Sequence, residues 1–163
     1  MFRHTLLILI IAASLSVAVD AEVVERIVAV VNDKVITMSD LKEEMAIRRQ
    51  FGVSADKAEA LSYLIEREIV SAEAGRLGLT ITMDDVTKEI VRFEETFLSR
   101  SEFALFLETY ELDLKDLSRK FASSIVVDKV REQKEGTSAG RYDKWLSEAK
   151  KKADIRILRV DGQ

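Results

Sequence analysis

The sequence predicts a mainly α fold, a helical bundle that carries a small antiparallel β-sheet formed by an N-terminal hairpin and a C-terminal strand. Three observations predict it. Most of the chain repeats apolar residues every three or four positions behind a Ser, Thr or Asp, the pattern of capped amphipathic helices, and no proline interrupts it. The stretch RIVAVVNDKVIT, residues 26–37, holds two β-branched runs joined by Asn32 and Asp33. The far end, residues 154–160, is again strand-like and has nothing beside it in sequence to pair with.

At the start, Arg3 precedes an apolar run from Leu6 to Ala13 that continues through Val19 and ends in Val19-Asp20-Ala21. The run is shorter than the roughly 20 residues that span a bilayer comfortably, and small residues stand where signal cleavage prefers them. Residues 1–21 are therefore expected to be a secretory signal and residues 22–163 one exported domain. A retained membrane anchor is the alternative, which Ser14 and Ser16 weaken.

Asn and Asp tolerate the positive φ of a tight turn, so a hairpin is expected from Ile27 to Thr37. Ser39 can cap a first helix bearing Leu41, Met45 and Ile47, which runs towards Phe51 and stops before Gly52. Ser54 offers a cap for a long helix with Leu61, Leu64, Ile65, Ile69, Ala72 and Leu77, and Gly78 suits its end. Gly75 within it is expected to mark close packing. Thr82 caps a third helix, with Val86, Ile90, Phe93 and Phe97 along one stripe.

Ser99 or Ser101 starts a fourth helix with Phe103, Phe106, Leu107 and Tyr110, and Asp113 caps a fifth with Leu114, Leu117, Phe121, Ile125 and Val130 that runs to about Gln133. This first section, residues 22–134, ends at EGTSAG, residues 135–140, whose glycines and small polar residues read as a flexible link. Residues 141–163 then supply a helix with Tyr142, Trp145, Leu146 and Ala149 and the terminal strand with Ile155, Ile157 and Val160. Neither can bury its apolar face alone, so the strand is expected to pair with the hairpin and the helix to pack on the bundle.

Composition excludes several function classes. The net charge is −4, and the one concentrated basic run is Lys150-Lys151-Lys152, so nucleic acid is not an expected partner. There is no cysteine, and the single histidine, His4, lies in the expected signal. An exported domain without either residue lacks Cys-His and Ser-His-Asp machinery and has no thiolate or imidazole for zinc. No cofactor and no metal are expected. The acidic pairs Asp84-Asp85 and Glu94-Glu95 are adjacent on helices and do not face each other, so they read as solvated surface.

The segments ERIVAVVNDKVITMSDLKEEM, LIEREIVSAEAGRLGLTITMDDVTKEI, EFALFLETYELDLKDLSRKF and KWLSEAKKKADIRIL, in that order, resemble the N-terminal chaperone module of the SurA family of periplasmic folding factors. The resemblance implies a core in which N-terminal helices meet a C-terminal helix and strand, split in fuller members by parvulin-type prolyl isomerase domains. Here only KEGTSAGR separates Gln133 from Tyr142, and the histidines of parvulin sites are missing, so isomerase activity is not carried over. The implied function is an exported periplasmic chaperone that binds unfolded or outer-membrane-bound polypeptides without ATP. A divergent prolyl isomerase and an envelope scaffold with one dedicated partner are the alternatives. Aromatic residues on neighbouring helices, Phe93, Phe97, Phe103, Phe106 and Tyr110, are the candidate polypeptide-binding residues, with Met45 and Met83 as possible flexible contacts, and core packing is the competing role for each.

Overall fold

The computed structural model describes residues 25–136 and 138–158; the expected signal and Val160 lie outside them. Strands β1 (Ile27–Val31) and β2 (Lys34–Thr37) form the hairpin. Helices α1 (Met38–Gln50), α2 (Lys57–Leu77), α3 (Met83–Glu94), α4 (Arg100–Thr109), α5 (Leu114–Glu135) and α6 (Arg141–Lys152) follow, and β3 (Ile155–Ile157) ends the described chain. The sheet has the order β2-β1-β3 and is antiparallel throughout.

In the hairpin turn the positive φ falls on Asn32, at 55°. Asn32 also ties the tail down, because its N–H donates to the Asp154 carbonyl at 2.7 Å and its side-chain oxygen accepts from the Asp154 N–H at 3.1 Å. Across β1, Ala29 faces both Ile36 and Ile157, and Val31 faces both Lys34 and Ile155. The register shifts between Ile27 and Ala29. That irregularity lets consecutive Val28 and Ala29 both be fully buried, which strict alternation forbids.

Two helix starts differ from the sequence reading. Thr37, not Ser39, caps α1: its hydroxyl accepts from the Asp40 N–H while the Asp40 carboxylate accepts from the Thr37 N–H. The last strand residue already has the extended backbone a cap requires, so the helix follows β2 without a loop. The Ser39 N–H instead donates to the Glu25 carboxylate at 3.1 Å. Asp56, not Ser54, caps α2, accepting from the N–H groups of Ala58 and Glu59. Thr82, Ser99 and Asp113 cap α3, α4 and α5 as read from the sequence, and Gly78 ends α2 with a left-handed φ of 65°. Gly75 is exposed, and a Cβ built there meets nothing within 4 Å, so it marks no close packing.

The interior divides into two clusters. One is aliphatic: Val28, Ala29, Val31 and Ile36 of the sheet, Leu41 of α1, Leu64, Ile65, Ile69 and Val70 of α2, Val127 and Val130 of α5, and Tyr142 and Leu146 of α6. The other is aromatic: Phe93, Phe103, Phe106 and Phe121 with Ala46, Ile47 and Leu117. Helices α1 and α5 run through both, giving the first half of α5 to one cluster and its second half to the other.

The closing elements belong to the aliphatic cluster. Tyr142, only 2% exposed, donates its hydroxyl hydrogen to Glu66, and the Arg131 guanidinium lies 4.9 Å from its ring while pairing with the same carboxylate at 3.0 Å. Trp145 is partly buried on this cluster with Lys134 Nζ 4.9 Å from its ring. The expected return of the C-terminal helix and strand to the bundle and hairpin is thus what the structure shows, with β3 beside β1.

Candidate polypeptide-binding surface

Helices α3 and α4 bring all five candidate aromatics together. Phe93 is the hub: its ring centroid lies 5.2 Å from Phe97, 5.3 Å from Phe106, 6.2 Å from Phe103, 5.4 Å from Phe51 and 5.4 Å from Phe121. Most of these pairs are edge-on, the arrangement that places a positive ring edge against a negative face. Phe106 extends the chain of rings to Tyr110 at 4.8 Å.

Burial separates the five. Phe93 is fully buried, and Phe103 and Phe106 are 8% and 9% exposed, so these three form the interior of the cluster. Their stripe spacing is equally that of a core, and Phe51 at the end of α1 and Phe121 of α5 pack against Phe93. Phe97 and Tyr110 remain half-buried at the rim. Phe97 lies beyond the end of α3, which stops at Glu94, so it sits in the turn to α4. Of the two methionines, Met83 is exposed and Met45 is packed against the aliphatic cluster.

Around Phe97 the surface sets apolar side chains among charged ones. A shallow cavity of about 400 Å³ is lined by Val91, Phe97, Glu94, Glu95, Ser99 and Arg100. Val91 is exposed, and Leu98 is 93% exposed. Leu98 is nevertheless held in place, since its N–H donates to the Glu102 carboxylate at 3.1 Å while the Glu102 N–H donates to the Ser99 hydroxyl at 3.2 Å. Leu98 precedes a helix cap, where an apolar side chain often packs onto the first turn, and here it stays in solvent. A second recess of about 200 Å³ joins Tyr110 to Ala46, Arg49, Gln50 and Phe106.

A third feature escapes a reading based on aromatic stripes. A cavity of about 230 Å³ lies among α1, α2 and α5, with Glu44, Tyr63, Phe121 and Ser124 in its walls. Glu44 is 8% exposed, the one buried charged residue among those described. Its signal was present in the sequence, because Leu41, Glu44, Ile47 and Phe51 follow one another at spacings of three, three and four and so share a helix face. Burial pushes the Glu44 carboxyl above the usual carboxylate range, and Arg67, Arg48 and Lys120 oppose that rise.

Among the described residues no group of three or more His, Asp or Glu side chains is placed to hold a metal ion, and no helix is long and apolar enough to cross a membrane. The arrangement offers apolar contact, a charged rim and one buried carboxylate.

A search of curated proteins gives no match. The family model described as the SurA-like N-terminal domain matches residues 2–131, a span that takes in the hairpin, helices α1 to α4 and most of α5. Together with the helical architecture and its small antiparallel sheet, this match places the chain in the family of SurA-like N-terminal domains, a chaperone-type family.

Proposed function

We propose that the chain is an exported periplasmic chaperone that holds unfolded polypeptides, outer-membrane protein clients among them, without ATP. The observation that carries this reading is the apolar rim over the aromatic cluster, where Leu98 stands almost fully exposed on a turn fixed by Glu102, next in the chain to half-buried Phe97, whose cavity Val91 also lines. An apolar side chain held out in water gains only when something covers it, at about 25 cal/mol per Å² of area removed from solvent. The acidic and basic residues around it, Glu94, Glu95 and Arg100, form a polar border of the kind that surrounds binding patches. Family membership supports a polypeptide as the occupant, and the expected signal in residues 1–21 supports export.

The test uses residues 22–163 and a β-barrel outer-membrane protein diluted from urea. Light scattering should rise more slowly in the presence of the chain, with no nucleotide added, and Leu98→Ser should weaken that protection while leaving the melting temperature in place. The chain should leave cis/trans exchange of a proline peptide at its uncatalysed rate, a relaxation of tens of seconds or longer. Scattering that is unchanged at a several-fold excess of chain contradicts the reading.

A further inference from the structure

We infer that the outer edge of β3 docks a second copy of this chain, the two β3 strands pairing antiparallel across a twofold axis at Ile155. The inference concerns assembly and goes beyond the polypeptide-binding reading, on which it does not depend.

β3 stands at one edge of the sheet, and among the described residues no strand lies beyond it. The bonds it already makes fix which of its amides face outward. The Asp154 N–H and carbonyl are both bonded to Asn32, and the Leu158 N–H donates to the Val28 carbonyl at 3.0 Å. In a trans peptide the carbonyl and the next N–H point opposite ways, so the carbonyls of Ala153 and Ile157 and the N–H of Ile155 are turned away from β1. Arg156, paired with Val30, faces β1 by the same alternation, which leaves the Ile155 carbonyl and the Ile157 N–H on the outer side as well. A row of such groups is a template for another strand. The opposite edge is closed: on β2 the Thr37 N–H donates to the Asp40 carboxylate and α1 follows at once, so Val35 alone faces outward.

The residues on this edge are complementary to themselves. With Ile155 opposite its own copy, the two Ile155 residues exchange N–H···O bonds, and each Ile157 N–H meets the Ala153 carbonyl of the other chain. The same register sets Asp154 of each chain against Arg156 of the other. Both side chains are exposed and pair within the chain at 3.4 Å, so the two charges already stand on one face of the strand. Moving the axis one residue on, to Arg156, would instead oppose two guanidiniums. On the other face Ile157 is 61% exposed, although its register places it with buried Ala29 and Ile36. Pairing brings it beside Ala153 and Ile155 of the second copy, which pack on the aliphatic cluster, and the apolar layer then continues across the join.

Sedimentation equilibrium of residues 22–163, loaded at concentrations from about 1 µM to about 1 mM, measures the association. The average mass should climb from one chain towards two. Ile157→Pro removes an N–H that β1 does not use, so it should hold the mass at one chain and leave the melting temperature in place. Arg156→Asp should weaken association about tenfold, because two attractive cross-strand pairs become repulsive, and adding Asp154→Arg should restore it to within about twofold. Where Ile157→Pro lowers the melting temperature, the charge exchange alone decides. A single chain at every concentration overturns the inference. So does a dimer that Arg156→Asp leaves intact, or that the double substitution fails to restore; either result leaves the chaperone reading untouched.

Discussion

The two clusters of the interior are built in opposite ways. The aliphatic one joins the two ends of the described chain: β1 lies between β2 and β3, and Tyr142 reaches back to Glu66 on α2. The aromatic one draws mainly on neighbours in sequence, the segment from Phe93 to Phe121, with α1 completing it. Its rings touch at edges and angles, and its margin leaves Val91, Leu98 and Leu105 in solvent. Two tasks are separated within one domain, since the cluster closed by backbone hydrogen bonds and a terminal strand holds the two ends of the fold together while the segment of local helices carries Leu98, the most exposed of the large apolar residues described.

The largest test of that division is to remove residues 141–163. The truncation strips Tyr142, Leu146 and β3 from the aliphatic cluster, a loss on the scale of the whole stability of a domain this size, about 5 to 15 kcal/mol. Chemical denaturation should show no cooperative transition. An unchanged melting curve would make the C-terminal helix and strand an appendage.

Phe93→Ala acts inside the other cluster and should cost about 3 to 5 kcal/mol, because the ring is fully buried and touches five others. Trp145→Ala should cost less, about 1 to 2 kcal/mol, since the indole is only partly buried and loses its packing and the Lys134 contact. If urea midpoints rank these two substitutions the other way, the roles assigned to the rings are wrong.

The smallest expected effect concerns pH. Arg76, hydrogen-bonded to Glu73, together with Lys134, holds the Glu73 carboxyl down to about 2 from its ordinary 4.5. A carboxyl depressed in the folded state stabilises it above the ordinary value and stops doing so as protons are added. Stability from this group is therefore present above pH 4.5 and is lost as pH falls towards 2. Melting temperatures of the unaltered chain should fall more steeply across that window than those of Glu73→Gln, and parallel curves would remove Glu73 from the account.

Much of this architecture was legible in the residues. Asn32-Asp33 announced the hairpin, Thr82 and Asp113 announced their helices, and the apolar residues of the tail required the strand pairing that the sheet displays. What stayed hidden depends on tertiary context. Thr37 and Ser39 are both good caps, and only the point where β2 ends decides between them. The stripe of Phe93 and Phe97 has one spacing, yet the arrival of Phe51 and Phe121 buries the first and the end of α3 leaves the second at the rim. Ile47 faces the aromatic cluster and Leu41 the aliphatic one, although they share one helix face, so the division in two was not readable from periodicity.

The central claim, that the uncovered rim of the aromatic cluster is where polypeptide binds, is tested most directly by photo-crosslinking. A photoreactive phenylalanine analogue is placed singly at Leu98 or at Val35, an exposed apolar position on the sheet, and irradiated with an unfolded outer-membrane protein. The account predicts strong crosslinks from Leu98 and few from Val35; crosslinks from Val35 that match or exceed those from Leu98 would contradict it.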